Sequence, residues 1–239
     1  MNHRAGYRQE AARSQRRVEV TEVKICGITN KEDALFAASC GAAALGFIFY
    51  PSSPRYIKPE NAIKIIRALP DEVIKVGVFV NETPTEIKRV MKHCALDMLQ
   101  LHGDESPAFC CQFPASIMIK AVELKNDDDL SQALSYDVAA ILVDSRQAGL
   151  YGGTGKKANW ELARRVKNEK PLILSGGLNE ENIAQALKIV APAALDINSG
   201  VEESPGKKDH TKLTRLFDII RTADTGPGNS QLIFKKRDL

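Results

Sequence analysis

The chain has 239 residues, 44% hydrophobic and 26% charged, which is enough apolar material for one large domain. Its 33 basic and 30 acidic residues leave a net charge of +3, much of it at the ends, in Arg4, Arg8, Arg13, Arg16, Arg17, Lys235, Lys236 and Arg237. The near-neutral centre gives no basis for nucleic-acid binding, and no apolar run reaches the length of a membrane span, so neither partner is expected.

Residues 1–20 are polar, arginine-rich and without the apolar stretch of a signal peptide, and are expected to form a flexible extension. From residue 21 onward, short β-branched apolar runs alternate with longer amphipathic stretches, the pattern of βα units on a parallel sheet. The runs predict strands at 21–26, 43–50, 74–80, 97–101, 117–121, 139–144, 171–175 and 193–198. Helices are predicted to follow them at 30–40, 59–69, 84–93, 105–112, 126–134, 158–168, 179–190 and 209–222. Lys58-Pro59 and Thr83-Pro84 put proline where the first turn of a helix tolerates it. Eight such units are the number that closes a barrel, so the expected fold is α/β, a single (β/α)8 TIM barrel over 21–222 with short polar terminal extensions. The tail 223–239, with Thr225-Gly226-Pro227-Gly228-Asn229, is expected to be flexible, and its Gln231-Leu232-Ile233-Phe234 could dock on the barrel or on a second chain.

Cys26 ends the first predicted strand and is followed by Gly27, which places a thiol at the mouth of the barrel, where such folds do chemistry. A small buried hydrophobe is the alternative for this residue type. The five cysteines are an odd number without CxxC spacing, so they suit a reducing cytoplasm and indicate neither a disulfide framework nor a zinc site. Cys40, Cys94, Cys110 and Cys111 fall on or at the ends of predicted helices and are assigned to packing. Three loops after strands are glycine-rich: Gly152-Gly153-Thr154-Gly155, Ser175-Gly176-Gly177 and Ser199-Gly200. Successive backbone amides in such loops form anion-binding concavities, and barrels often hold phosphate after strands seven and eight. Asp144 ends the sixth predicted strand, as a loop cap or as a general acid. Cys26 and Asp144 together offer two proton-transfer groups on different strands.

Lys24-Ile25-Cys26-Gly27-Ile28-Thr29, Gly46-Phe47-Ile48-Phe49-Tyr50-Pro51, Ser53-Pro54-Arg55-Tyr56, Val76-Gly77-Val78-Phe79-Val80-Asn81 and Gln100-Leu101-His102-Gly103 closely resemble the phosphoribosylanthranilate isomerase family. So do Leu142-Val143-Asp144-Ser145, Tyr151-Gly152-Gly153-Thr154-Gly155, Leu174-Ser175-Gly176-Gly177-Leu178, Asp196-Ile197-Asn198-Ser199-Gly200-Val201-Glu202 and Pro205-Gly206-Lys207-Lys208-Asp209. The resemblance implies an Amadori rearrangement in tryptophan biosynthesis, with no cofactor or metal and a phosphosugar as the partner molecule. It assigns Asp144 as general acid, Cys26 as general base and Arg55 as the holder of the anthranilate carboxylate, and it puts the phosphate at Gly153, Gly155, Gly176, Gly177, Ser199 and Gly200. His102 is expected either to line the substrate pocket or to support loop hydrogen bonds, and Asp196 to be a site carboxylate or a structural partner. Lys24 alternates with Cys26, shares its inward direction and is expected to form a buried ion pair with Asp196. Competing readings are an indole-glycerol-phosphate synthase-like barrel, which would want a catalytic lysine and glutamate at strand ends, and a non-catalytic metabolite-binding barrel. Either a monomer or a homodimer fits the sequence.

Overall fold

The computed structural model describes residues 21–144, 159–223 and 232–236. Eight parallel strands close on themselves in chain order: β1 (Glu22–Ile25), β2 (Ala44–Ile48), β3 (Ile74–Phe79), β4 (Met98–Leu101), β5 (Met118–Val122), β6 (Ala140–Val143), β7 (Leu172–Leu174) and β8 (Ala194–Ile197). The helices between and after them are α1 (Lys31–Cys40), α2 (Pro59–Ile66), α3 (Pro84–Cys94), α4 (Pro107–Cys110), α5 (Asp127–Ser135), α6 (Trp160–Lys167), α7 (Ile183–Val190) and α8 (His210–Ala223). This is the (β/α)8 barrel expected from the rhythm of the sequence. No helix among the described residues is long and apolar enough to cross a membrane.

Local chemistry sets the element ends. Asn30 caps α1 by accepting from the Asp33 amide at 2.8 Å, and Asn126 and Asp129 form a reciprocal capping box at α5. Thr83 caps α3, with Pro84 in its first turn. α2, α4, α6 and α7 are shorter than predicted, and local chemistry explains the late starts of two of them. α4 starts only at Pro107, because residues 103–105 form a turn held by the Glu105 carboxylate, and Pro114 follows soon after its end. α7 starts at Ile183, because Asn182 turns back to accept from Asn179 N–H and to donate to the Gly177 carbonyl. A small hairpin was not foreseen: β9 (Glu202–Ser204) pairs antiparallel with β10 (Lys207–Lys208) across the Pro205-Gly206 turn.

The strands are buried on both faces, which is why they read as continuous apolar runs. Outward residues such as Ile25, Leu45, Leu99 and Leu195 pack with helix residues such as Ala34, Ile87 and Leu216. Inward residues fill the lower barrel with Ala44, Ile74, Val76, Met98, Ile119, Ala140, Leu142, Ile173 and Ala194. Ile233 and Phe234, from the C-terminal segment, are buried in this same cluster. The Glu22 carboxylate at the start of β1 accepts from the amides of Ile233 at 2.7 Å and Phe234 at 3.2 Å. Burial nevertheless raises the Glu22 carboxyl above its ordinary 4.5, against those two donors and Lys235.

A carboxyl whose pKa is raised by folding contributes stability below its unfolded value and loses it as pH climbs through the folded value. Glu22→Gln keeps the acceptor and removes the buried charge. The melting temperature of the variant is therefore expected to gain on the wild type as pH rises from about 4 to about 7. A difference that does not change with pH would contradict this account of the C-terminal anchor.

Candidate active site

Alternation along the strands stacks polar inward positions above the apolar floor. β1 supplies Lys24 and, one residue past its end, Cys26; β4 supplies Gln100 and then His102; β8 supplies Asp196; and Asp144 follows β6. All six are buried, with Lys24 and Gln100 at 0% exposure.

Lys24 and Asp196 are direct partners in the β1–β8 register, and their side chains form an ion pair at 2.8 Å from Nζ to Oδ1. The sequence expectation for this pair is met, and Asp196 is thereby a partner of Lys24. Burial pulls the Lys24 ammonium down, but Asp196 and Cys26 together more than offset it and leave its pKa raised. Gly46 on β2 makes room for the group. A Cβ there would lie 2.7 Å from Cys26 Sγ and 2.9 Å from Lys24 Nζ, so both heads crowd one point beside bare backbone.

Burial raises the Cys26 thiol above its ordinary value, with Lys24 as the strongest opposing influence, Asp196 raising it further and Lys208 lowering it. Cys94 and Cys110, at the ends of α3 and α4, are likewise pushed up, to about 11, chiefly by burial, with Lys120 opposing it at Cys110.

Around the rim, Arg55 is buried and clamped by Glu202, Nε bonding both carboxylate oxygens and Nη2 reaching Oε2 at 2.6 Å. Lys208 Nζ meets the same carboxylate at 2.9 Å and Asn198 Oδ1 at 3.0 Å. The Arg55 and Lys208 hydrogen bonds outweigh burial and hold Glu202 below its ordinary range, while burial lowers Lys208. Glu202, Lys208 and Gln100 were not singled out from sequence, although all three sit inside motifs quoted above. Glu202 meets Arg55 across 147 positions, a pairing with no local signal, whereas Gln100 and Lys208 have partners two and six residues away.

Across the mouth, His102 Nε2 stands 3.2 Å from Asp144 Oδ2, and its Nδ1 is 2.8 Å from Gln100 Nε2. The loops after β7 and β8 touch. Gly176 and Gly177 run at φ of 89° and 64°, Ser199 and Gly200 belong to a short 3-10 turn, and a Cβ on Gly200 would lie 1.9 Å from the Leu178 carbonyl oxygen. Gly153 and Gly155 lie outside the described residues. A lysine and a glutamate do meet near another strand end, but Lys120 and Glu105, at 2.8 Å, are engaged in holding the loop after β4. Lys120 bonds the Gly103 carbonyl, and Glu105 accepts from the amides of Asn81 and Gly103. Among the described residues no group of three His, Cys, Asp or Glu side chains could hold a metal ion.

A closed (β/α)8 barrel with a thiol, a carboxyl, a histidine and glycine loops at its C-terminal mouth is an enzyme of the barrel class. Residues 23–219 match the family profile of N-(5'-phosphoribosyl)anthranilate isomerase. A relative bearing that name from Syntrophus aciditrophicus is 53% identical over 202 residues, 84% of this chain and 88% of the relative. The crystal structure of phosphoribosyl anthranilate isomerase from Thermotoga maritima superposes with a TM-score of 0.78 at 43% identity, covering 84% of this chain and 99% of that one. A structure of such an isomerase in complex with reduced 1-(o-carboxyphenylamino)-1-deoxyribulose 5-phosphate gives 0.76 at 43%, over 84% and 99%. The chain belongs to the phosphoribosylanthranilate isomerase family and is an isomerase.

Lys24→Met leaves the buried Asp196 carboxylate without its cation and is expected to lower unfolding stability by about 3–5 kcal/mol. Lys24→Met combined with Asp196→Leu removes both charges and should recover most of that loss in urea denaturation. Additive losses would show that the pair is not coupled.

Proposed function

We propose that the chain converts N-(5'-phosphoribosyl)anthranilate to 1-(2-carboxyphenylamino)-1-deoxyribulose 5-phosphate, an Amadori rearrangement in tryptophan biosynthesis. The observation that carries this reading is the pairing of two buried proton-transfer groups at the barrel mouth, Cys26 against Lys24 and Asp144 against His102, in a chain of this family. β7 and β8 separate their strands, so the groups address different atoms of one ligand.

Asp144 gives its proton to the furanose ring oxygen. The C1–O bond breaks, and the anthranilate nitrogen lone pair forms a C1=N iminium. The Cys26 thiolate then takes the proton from C2, whose electrons form C1=C2 and return the nitrogen pair, giving an enolamine. Protonation at C1 with loss of the C2 hydroxyl proton yields the ketone. No cofactor or metal enters these steps. A C2–H beside an iminium is acidic enough for a moderate base, and the Lys24 ammonium favours the thiolate form that supplies it. Burial works in the opposite direction, raising the thiol and making the thiolate a stronger base once formed.

Arg55 receives the anthranilate carboxylate through Nη1, since Nε and Nη2 are committed to Glu202. The touching loops after β7 and β8 take the phosphate on backbone amides of Gly176, Gly177, Ser199 and Gly200; Gly153 and Gly155, outside the described residues, are assigned to it by the family resemblance alone. The synthase-like alternative loses its basis here, because Lys120 and Glu105 are occupied with loop structure.

Cys26→Ala and Asp144→Asn are each expected to lower turnover of freshly made N-(5'-phosphoribosyl)anthranilate by roughly a hundredfold or more. The loss of anthranilate-type fluorescence follows the reaction, and circular dichroism checks that the barrel is intact. Near-normal turnover in either folded variant would sink the assignment.

A further inference from the structure

Gln100 is fully buried on β4, two residues before His102 and on the same inward face. Its Nε2 is 2.8 Å from His102 Nδ1, while its Oε1 is buried without a hydrogen-bond partner among the described residues. Turning the amide over would set Oε1 against the ring and leave the NH2 group in the unpartnered place. A buried carbonyl oxygen tolerates that better than a buried N–H donor does. With Nε2 toward the ring, Nδ1 is an acceptor, and the neutral imidazole carries its proton on Nε2, 3.2 Å from Asp144 Oδ2.

We infer that Gln100 is a positioning residue of the acid, fixing His102 in the Nε2–H tautomer so that the histidine donates to Asp144 Oδ2 and leaves the acid's transferable proton on Oδ1. A carboxylic acid carries one proton, and an oxygen that accepts from an N–H is not the one that holds it. After transfer to the ring oxygen, the Asp144 carboxylate keeps the same donor, so one tautomer serves both states and no proton moves on the imidazole. The reversed tautomer would accept from Asp144 Oδ2 and turn the proton away from the substrate. This inference rests on the reading of Asp144 as the general acid.

The test is ¹⁵N nuclear magnetic resonance of the His102 ring in the ligand-free enzyme, together with steady-state kinetics on N-(5'-phosphoribosyl)anthranilate. The wild type is expected to show a protonated Nε2 and a bare Nδ1. Gln100→Glu places an acceptor against Nδ1 and should move the proton there, while Gln100→Met, which offers no donor, should give a mixture of the two forms. Both variants should lose kcat by on the order of tenfold or more with little change in KM, and the pH profile of kcat should change shape. A wild-type ring protonated on Nδ1 would overturn the inference. So would a Gln100→Glu variant with unchanged ring signals and unchanged kcat. The ring signals are read without substrate, so they stand even if Asp144→Asn retains turnover and the acid assignment itself fails.

Discussion

The ion pair between Lys24 and Asp196 is the contact on which the rest of the molecule depends. It joins the first strand of the barrel to the last, at positions that are direct register partners, so it lies across the seam where the sheet closes. An ammonium inside a barrel is tolerable only with a carboxylate in contact, and neither member can be removed alone without stranding the other. The same ammonium is the strongest force lowering the pKa of the Cys26 thiol, two residues further along the chain, just past the end of β1. Closure of the fold and chemistry of the thiol therefore share one charge. Gly46 serves the arrangement by contributing no side chain where both heads converge.

The barrel interior divides by height. Its floor is apolar and takes in Ile233 and Phe234 from the C-terminal segment. Above the floor lie buried charged and amide groups: Lys24, Asp196 and Gln100. At the mouth stand Cys26, His102 and Asp144, each resting on one of those groups directly or through a neighbour. Two-residue alternation produces this layering without any special device, because a residue placed two before a mouth residue on a strand must lie beneath it. Glu202 extends the same logic to the rim, where one carboxylate holds both Arg55 and Lys208 in fixed directions.

The eight βα units were legible because their period is strong and their strands are bounded by turn residues. The inward stacking of Lys24 with Cys26 followed from alternation, and Asp196 was the distant partner expected for that buried ammonium. What sequence did not reveal is most other closure between distant segments. Glu202 clamps Arg55 across 147 positions, and no local pattern announces that pairing. The hairpin at Pro205-Gly206 has strands of only three and two residues, too short to show a period, and α4 and α7 are shorter than their sequence pattern because side chains of Glu105 and Asn182 redirect the backbone at their starts. Gln100 escaped notice for a related reason: a glutamine in an apolar strand reads as a gap in the pattern until its partner ring is seen.

The central claim is a division of labour, Asp144 opening the sugar ring and Cys26 removing the C2 proton. Its most direct test is the kinetic isotope effect on kcat with substrate deuterated at the sugar C2, compared between Cys26→Ser and Asp144→Asn. The account predicts a full primary effect in Cys26→Ser, where proton removal from carbon becomes rate-limiting, and an effect near unity in Asp144→Asn, where ring opening does. The reverse pattern, or equal effects in both variants, would contradict it.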